Sequence, residues 1–510
     1  MMGCVLEKLF AVLLCCFCAG PSFVTAQFKR VCYINGRARE RVATIRFRIQ
    51  DVDPFLCTHL VYAFAGFDTG GRLQSLQGSI DVDSYKELNG LRQRNPGLKT
   101  LLAVGGWRFG SQKFSLMANN TSTRQTFVSS AVAFLREHAF DGLVLDWQYP
   151  GYRNGNAMDR QNLIALCKEL RQAFEDEASG DKRLLLATAS PASRSHLDAG
   201  YDVAALTRYL DQWHLMTFNY HGPWDRTTGH NSPLMARSED TGLALTRNMA
   251  WTANEYVTRG APRDKLLLGL STYARAFMLE NSLHITPGSK ATIAPSSNYT
   301  QEPGFLAYYE VCKIVSEPDA NVFLDNEQRV PYLVKKNLWI SFDDVNSTKE
   351  KAQWLKQQGF GGFVAWTLDT DSFHPDLCNS QSNKAFLLIS AAAAVMLDSV
   401  QPGASSSSLH NVSTSSTTPS LSNIKPAPVT SPPDGVDRAE TTAETATTSP
   451  SSTVFSCEGR PWRNYPHPTS PCRFIVCWAD HMYIKECPNS NFYNHNTGTC
   501  ELPRQGKVTC

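Results

Sequence analysis

Three alternate side chains near the end of one apolar run have the spacing of a catalytic face. The run 141–147 has the composition of a buried β-strand, and alternation along a strand places Val144, Asp146 and Gln148 on the same side. Carboxylates at all three positions would be typical of acid–base chemistry on a glycosidic bond. Only Asp146 is a carboxylate, because Gln148 carries an amide, which donates a hydrogen bond but delivers no proton at useful driving force. The pattern therefore indicates a sugar-hydrolase scaffold without its proton donor.

Short apolar runs that alternate with amphipathic stretches extend from Gln27 to about Val400. The runs cover 31–35, 59–64, 99–105, 141–147, 184–190, 212–219, 265–272 and 362–368, and helical patterns lie at 84–94, 123–138, 159–177 and 243–259. This alternation predicts an α/β fold, a (β/α)8 TIM barrel. The alternative is a doubly wound open sheet, which is disfavoured because no GxGxxG motif follows the first run.

The segment between the seventh and eighth runs, 272–360, is too long for one helix and its loops. We therefore predict a small inserted domain at about 273–342. A later apolar run, 385–397, is too short to span a membrane and predicts a final core helix. The sequence thus predicts no membrane span.

The two ends of the chain differ in composition from the predicted barrel. Lys8, the apolar stretch 9–18 and a small-residue site at Ala26 are typical of a signal peptide over 1–26, so we predict a secreted, extracellular protein. The predicted barrel domain then covers 27–400. Residues 401–454 are rich in Ser, Thr and Pro, which predicts an extended, O-glycosylated linker. N-glycosylation sequons predict that the protein is a glycoprotein. They lie at Asn119, Asn120, Asn298, Asn346 and Asn411.

The last segment, 455–510, holds six cysteines and many aromatic residues. A domain of this size has too small a core to be stable without covalent cross-links, so three disulfides are expected. The spacing of the cysteines alone does not determine which pairs form. Its aromatic rings either form a small core or stack on sugars, and composition leaves both interpretations open. After removal of the signal the cysteine count is odd, and Cys167, within a helical pattern, is the predicted free thiol.

Charge and motifs exclude several classes of partner. The net charge is +2 and no long basic block occurs, which argues against nucleic acid. No HExxH motif, CxxC pair or P-loop stands out, so we predict neither a metal nor a nucleotide cofactor.

The segment 140–151, FDGLVLDWQYPG, closely resembles the DGxDxDWEYP signature of family-18 glycoside hydrolases, the chitinases and their chitinase-like relatives. Further segments similar to this family lie at 57–66, 98–107, 229–234, 306–312, 341–344 and 361–366. The six-cysteine tail resembles the peritrophin-type chitin-binding module. The resemblance covers nearly all of the mature chain and implies a barrel with an α+β insertion after the seventh strand.

The resemblance also implies disulfide pairs. They are Cys32–Cys57 and Cys312–Cys378 in the barrel, and Cys457–Cys477, Cys472–Cys510 and Cys487–Cys500 in the tail. Cys167 is then left unpaired.

In this family the substrate's own N-acetyl carbonyl is the nucleophile, a Glu protonates the leaving oxygen, and Asp residues orient the acetamide and tune the acid. Here Gln148 replaces that Glu, Asp146 keeps the middle carboxylate, and Val144 replaces the tuning Asp. A second motif, MxYD, reads Met216-Thr217-Phe218-Asn219, so its hydroxyl and its carboxylate are both missing. Four departures at one site predict a chitinase fold in which no catalytic set is intact.

The sugar-binding groove implied by the resemblance is better preserved. Trp366 would form its floor, Trp107 and Trp224 its walls, and the other carbohydrate-binding candidates are Tyr33, Gln77, Gly78, Gly105, Gly106, Arg108, Tyr149, Met216, Thr217, Tyr273 and Arg275. Three outer positions depart from the family. Arg37 replaces a Trp, Gly78 lies near the position of an expected Trp, and Arg108 replaces an Asn. We expect a shortened groove with weaker remote subsites.

These observations predict a secreted lectin-like protein that binds chitin or chito-oligosaccharides through N-acetylglucosamine, with hydrolysis lost or strongly reduced. Two alternatives remain open at this point. One is a slow chitinase, and the other is a signalling or matrix protein whose barrel binds a protein receptor.

Overall fold

Eight parallel strands close into a barrel in the computed structural model of the chain. In chain order the strands are β1 (Lys29–Asn35), β2 (His59–Phe67), the short β3 (Leu73–Ser75), β4 (Lys99–Gly105), β5 (Gly142–Asp146), β6 (Leu185–Pro191), β7 (Gln212–Met216), β8 (Leu266–Ser271), and, after an insertion, β15 (Gly362–Trp366). Each barrel strand pairs in parallel with its neighbours, and β15 pairs with both β8 and β1, which closes the ring. β3 lies outside the ring, antiparallel to β2. The predicted (β/α)8 barrel is confirmed.

The structure describes residues 28–378 and 384–398 and, in the tail, 464–467, 470–478, 481–487, 492–494 and 499–501. The predicted signal peptide and the predicted linker lie outside the described residues. The chain divides into two compact units between Asp398 and Ser399.

Helices cover the outside of the barrel. They are α1 (Ser79–Gly90), α2 (Gln112–Asn119), α3 (Thr121–Glu137), α4 (Asp159–Glu177), α5 (Arg194–Gly200), α6 (Val203–Thr207), α7 (Met249–Thr258), α8 (Tyr308–Val315), α9 (Val345–Gln357) and α10 (Leu387–Leu397). Their apolar faces and the outward side chains of the strands form the largest hydrophobic cluster. A smaller cluster of mostly small side chains, which includes Val144 and Ala189, fills the barrel interior. Burial on both faces is typical of parallel strands.

Several predicted element boundaries were wrong: the helix predicted at 84–94, for example, lies at Ser79–Gly90. The helix predicted at 243–259 begins at Met249, because the Asn248 side chain caps it by accepting a hydrogen bond from the Trp251 amide at 2.8 Å. The strand predicted at 212–219 ends at Met216, and Asn219 adopts a left-handed conformation with φ 60°. An Asn tolerates this region better than most residues.

The insertion is an antiparallel sheet that follows β8. Its strands are β9 (Tyr273–Leu279), β10 (Ala291–Ile293), β11 (Phe305–Ala307), β12 (Asn321–Asp325), β13 (Val330–Lys335) and β14 (Leu338–Ser341). They are ordered β10-β9-β14-β13-β12, and β11 also pairs with β9. Only Thr272 separates the end of β8 from the start of β9. The first side chains of β9 therefore emerge beside the carboxyl ends of the barrel strands.

Both disulfides implied for the barrel are present, Cys32–Cys57 and Cys312–Cys378. Cys167 is a free, fully buried cysteine on α4, and burial raises the pKa of its thiol. No helix within the described ranges is long and apolar enough to cross a membrane.

The tail unit contains a three-stranded and a two-stranded antiparallel sheet. The strands are β16 (Asn464–Pro466), β17 (Arg473–Trp478), β18 (His481–Glu486), β19 (Phe492–Asn494) and β20 (Thr499–Glu501). Cys472 and Cys487 are both disulfide-bonded, whereas Cys510, the predicted partner of Cys472, lies outside the described residues. The three predicted tail pairings therefore stay predictions. Tyr465 and Ile475 are buried, so at least one aromatic ring serves as core.

Candidate functional site

The carboxyl ends of the barrel strands carry the predicted site residues. Asp146 ends β5, Met216 ends β7 and Trp366 ends β15. In a (β/α)8 barrel these strand ends face one side, where active sites are found. Residues far apart in the sequence are thereby brought to one cleft.

Gln148 and Asp146 are hydrogen-bonded to each other. The Gln148 Nε2 donates to Asp146 Oδ1 at 2.7 Å and lies 3.6 Å from the Met216 sulfur. Asp146 is only 1% exposed. Burial raises the pKa of Asp146 to about 7, against the opposing effect of the Gln148 hydrogen bond. The Gln148 amide thus occupies one oxygen of the Asp146 carboxyl group, and Gln148 itself has no acidic proton to donate.

Two glycines allow close packing against Asp146. The Gly106 amide donates to the Asp146 carbonyl at 2.9 Å. A Cβ on Gly105, whose φ is 110°, would lie 2.4 Å from that same oxygen. Both glycines are buried, so their role is to let β4 and β5 approach each other beneath the cleft.

Val144 lies in the barrel interior and is fully buried beside Ala103 and Ala189. A family member with an Asp here would place a second carboxylate on the same strand face as Asp146. This chain places a hydrocarbon there. Proton sharing between two carboxyl groups is therefore absent from this part of the described site.

The raised pKa of Asp146 predicts a pH-dependent stability. Because the folded state holds this proton up to about pH 7 and the unfolded state releases it near the ordinary Asp pKa of 3.8, stability falls as pH rises between those values. From pH 5 to pH 8 we expect the wild type to lose about 2–3 kcal/mol relative to Asp146→Asn. Denaturant unfolding of the barrel at several pH values measures this difference.

The matched control is Asp83→Asn, which changes a carboxyl on α1 whose side chain is 61% exposed. We expect its unfolding free energy to stay parallel to the wild type across the same range. A constant difference between wild type and Asp146→Asn would show that Asp146 titrates normally.

Phe218 and Asn219 form a second part of the cleft with β9. The Asn219 Oδ1 accepts hydrogen bonds from the Tyr273 hydroxyl at 2.8 Å and from the Arg275 Nε and Nη2 at 3.0 and 2.8 Å. These three donors fix the orientation of the Asn219 amide. The Phe218 ring packs edge-on to Tyr273 at 6.0 Å and presents no hydroxyl. Positions 218 and 219 therefore present neither a phenol nor a carboxylate to the cleft.

Trp366 is half-buried at the end of β15 and is supported by other rings. Its ring centroid lies 5.3 Å from that of Tyr33 and 5.8 Å from that of Phe64. The Tyr33 hydroxyl is in turn 2.7 Å from His214 Nδ1. A supported indole of this kind can stack on the apolar face of a hexose. The floor assigned to Trp366 is thus compatible with its position.

Phe64 was missed by the sequence reasoning. It lies at an irregularity of β2, where the pairing with β4 shifts between Ala63 and Ala65. Period-two alternation fails at such a bulge, so no sequence signal placed this ring beside Trp366.

Trp107 and Trp224 are the residues predicted to form the walls of the groove. Trp107 is 40% exposed, and the Arg153 guanidinium lies over its ring at 3.7 Å from the centroid. The Arg153 Nη1 also donates to the carbonyls of Trp107 and Gln148, at 2.9 and 3.0 Å. Arg275 lies 5.4 Å from the Trp224 ring. Arg153 is a second cleft residue that the sequence reasoning missed.

The remaining candidates are placed as follows. Tyr149 packs on His196, with centroids 4.4 Å apart. Thr217 is fully buried and its hydroxyl donates to the Gly269 carbonyl at 2.8 Å, so it supports the cleft without lining it. Gln77 donates to Glu40, and Gly78, Arg37 and Arg108 are exposed. In the described ranges no three His, Cys, Asp or Glu side chains group as a metal site.

Comparison with known proteins identifies the family. The model described as "Glycosyl hydrolases family 18" matches residues 29–371, and "Chitin binding Peritrophin-A domain" matches 457–510. Mouse chitotriosidase-1 is 44% identical over 355 residues, which cover 69% of this chain and 75% of that protein.

Solved structures agree with the fold. The Ostrinia furnacalis Group IV chitinase superposes with a TM-score of 0.69 at 34% identity, covering 73% of this chain and 100% of that one. Human YKL-39, described as a pseudo-chitinase with retained chitooligosaccharide binding properties, gives a TM-score of 0.68 at 34% identity, covering 72% and 99%. The chain therefore belongs to glycosyl hydrolase family 18 and carries a C-terminal chitin-binding module of the peritrophin-A type.

Proposed function

We propose that this protein is a secreted chitinase-like lectin that binds chitin or other N-acetylglucosamine glycans and does not hydrolyse them at a useful rate. The observation that carries the proposal is the hydrogen bond from Gln148 Nε2 to Asp146 Oδ1. It puts an amide where family members hold their proton donor.

The neighbouring groups do not compensate for the missing acid. Asp146 is buried under the amide, Val144 is a hydrocarbon, and Phe218 has no hydroxyl for an acetamide. A positioned general acid contributes on the order of 10²–10⁴ in rate. The losses at the acid and at the clamp concern one step and are not additive, but each alone is large.

Binding, in contrast, depends on groups that remain. The Trp366 shelf is supported by Tyr33 and Phe64. The tail adds a second chitin-binding module. Two modest sites joined through one linker gain avidity on a polymer. Human YKL-39, which has the same fold, is described as a pseudo-chitinase that retains chitooligosaccharide binding. This relative supports the proposal that binding is kept where hydrolysis is lost.

A pull-down on insoluble chitin tests the proposal, with the full chain compared to residues 27–400. We expect both proteins to be retained, and the full chain to need more competitor for release because it holds two sites. If neither protein is retained, the lectin proposal fails.

Slow hydrolysis is the second candidate, and it is favoured by the retained Asp146 and by the 44% identity to mouse chitotriosidase-1. It differs from the first in one respect. It requires chitobiose release that a groove inhibitor abolishes, whereas the lectin proposal requires binding without release.

A further inference from the structure

The cleft has lost negative charge and gained positive charge. Val144, Gln148 and Asn219 are uncharged at positions where family-18 enzymes carry carboxylates, which leaves Asp146 as the carboxylate of the catalytic motifs. Arg37 and Arg108 occupy positions where the family carries uncharged residues, and both are exposed. These five positions therefore carry less negative or more positive charge than the family's pattern.

Asn219 is the sharpest element of this change. Its Oδ1 is occupied by three donors, the Tyr273 hydroxyl and two Arg275 nitrogens. Its Nδ2 has no hydrogen-bond partner among the residues that the structure describes, and the side chain is exposed. A carboxylate in this place would offer a second acceptor to a ligand. The amide instead offers a donor, next to a guanidinium.

The Arg275 guanidinium is only partly neutralised. Arg275 is 7% exposed, and its Nη1 lies 3.8 Å from Glu302, whose side chain is 54% exposed. The other acids around the cleft are engaged elsewhere: Glu40 accepts from Gln77, and Asp225 lies 3.2 Å from His221. A ligand anion is therefore the natural partner for the Asn219 amide and Arg275.

Arg153 supplies a second guanidinium group, beside the Gln148 backbone. The Arg153 Nη1 donates to the carbonyls of Trp107 and Gln148, so its guanidinium is held at this position. Arg153 covers one face of the Trp107 ring, which reduces the indole surface available to an uncharged sugar. Charge-assisted hydrogen bonds to fixed guanidinium groups are among the stronger polar contacts.

We propose that the cleft selects N-acetylglucosamine glycans that carry carboxylate or sulfate groups over neutral chitin chains. This inference rests on the proposed lectin function of the same cleft and specifies its ligand. Asn219 and Arg275 are the residues that recognise the anion, and Trp366 stacks on the sugar.

Titration calorimetry on the full chain tests this with three hexasaccharides. They are neutral chitohexaose, its 6-O-sulfated form, and an oligomer that alternates N-acetylglucosamine with glucuronate. Each isotherm is fitted with two sites, and the site whose Kd rises in Trp366→Ala is assigned to the cleft. We expect at least one anionic ligand to bind the cleft about tenfold tighter than chitohexaose at about 50 mM salt, and the advantage to shrink at about 500 mM. The two anionic arms decide between sulfate and carboxylate.

Asn219→Asp is the diagnostic variant. It keeps the acceptor for Tyr273 and Arg275 but replaces the donor with a negative charge. We expect affinity for the anionic ligand to fall about tenfold relative to affinity for chitohexaose, which removes the preference. The control is Lys182→Ala, which removes an exposed lysine that precedes β6 at the opposite end of the barrel and should alter neither affinity.

The outcomes separate the two proposals. Equal cleft affinity for neutral and anionic hexasaccharides overturns the anion preference and leaves the lectin function standing. An anion preference that Asn219→Asp does not reduce, or that Lys182→Ala abolishes, places the anion elsewhere and also overturns the inference. Binding of no hexasaccharide to the cleft overturns both proposals.

Discussion

Restoring the proton donor alone, with Gln148→Glu, is expected to raise hydrolysis of labelled chito-oligosaccharides by less than about tenfold. A glutamate in this position would find Val144 where a tuning carboxylate is needed, and Phe218 where a hydroxyl should hold the acetamide. General acid catalysis requires a substrate that is already oriented, and these losses affect that orientation.

Restoring all four positions is expected to have a far larger effect. In Val144→Asp/Gln148→Glu/Phe218→Tyr/Asn219→Asp we expect kcat/KM to exceed that of the wild type on the order of 10²–10⁴-fold. The matched control is the triple variant that keeps Gln148, which should remain inactive because it has no acid. Val144 is fully buried, so each variant is compared per unit of folded protein. Robust turnover from Gln148→Glu alone would show that the other three positions were misjudged.

Trp366→Ala is expected to remove most of the affinity of the cleft for a short chito-oligosaccharide. Stacking of a flat ring on an aromatic side chain is worth about 1–3 kcal/mol, which corresponds to roughly 5- to 150-fold in Kd. Fluorescence or calorimetric titration of the full chain measures the loss, and a melting curve confirms that the barrel remains folded.

Phe55→Ala is the control for Trp366→Ala. Phe55 is 57% exposed and precedes β2, at the end of the barrel opposite the cleft, so its loss removes an exposed ring without touching the proposed floor. An unchanged Kd in Trp366→Ala would mean that the tail module binds the oligosaccharide and that the aromatic floor of the barrel does not contribute to its affinity.

Much of the fold was predictable because its signals are local. The eight apolar runs follow from burial on both faces of parallel strands, and the long gap before the last run predicted an insertion, which the structure shows as the sheet β9–β14. Alternation also placed Val144 and Asp146 on one face. Gln148 lies beyond the end of β5 and still contacts Asp146, so the predicted proximity of these two side chains holds past the end of the strand.

The parts that escaped prediction depend on tertiary contacts. Phe64 supports Trp366 only because β2 is irregular at that point. Arg153 belongs to the cleft because two carbonyls, from Trp107 and Gln148, converge on it. Thr217 follows a strand and was expected to line the groove, but its hydroxyl bonds to the barrel backbone instead. None of these arrangements has a sequence period or motif.

The most direct test of the central claim is the turnover of a bound substrate by the wild-type protein. Labelled chito-oligosaccharide is supplied at a concentration where binding to the cleft has been measured, and released chitobiose is followed beside the Asp146→Ala variant. We predict the same background release from both proteins, since the Gln148 amide supplies no proton. Release by the wild type at the rate of an active family-18 chitinase, abolished in Asp146→Ala and by a groove inhibitor, would contradict the account.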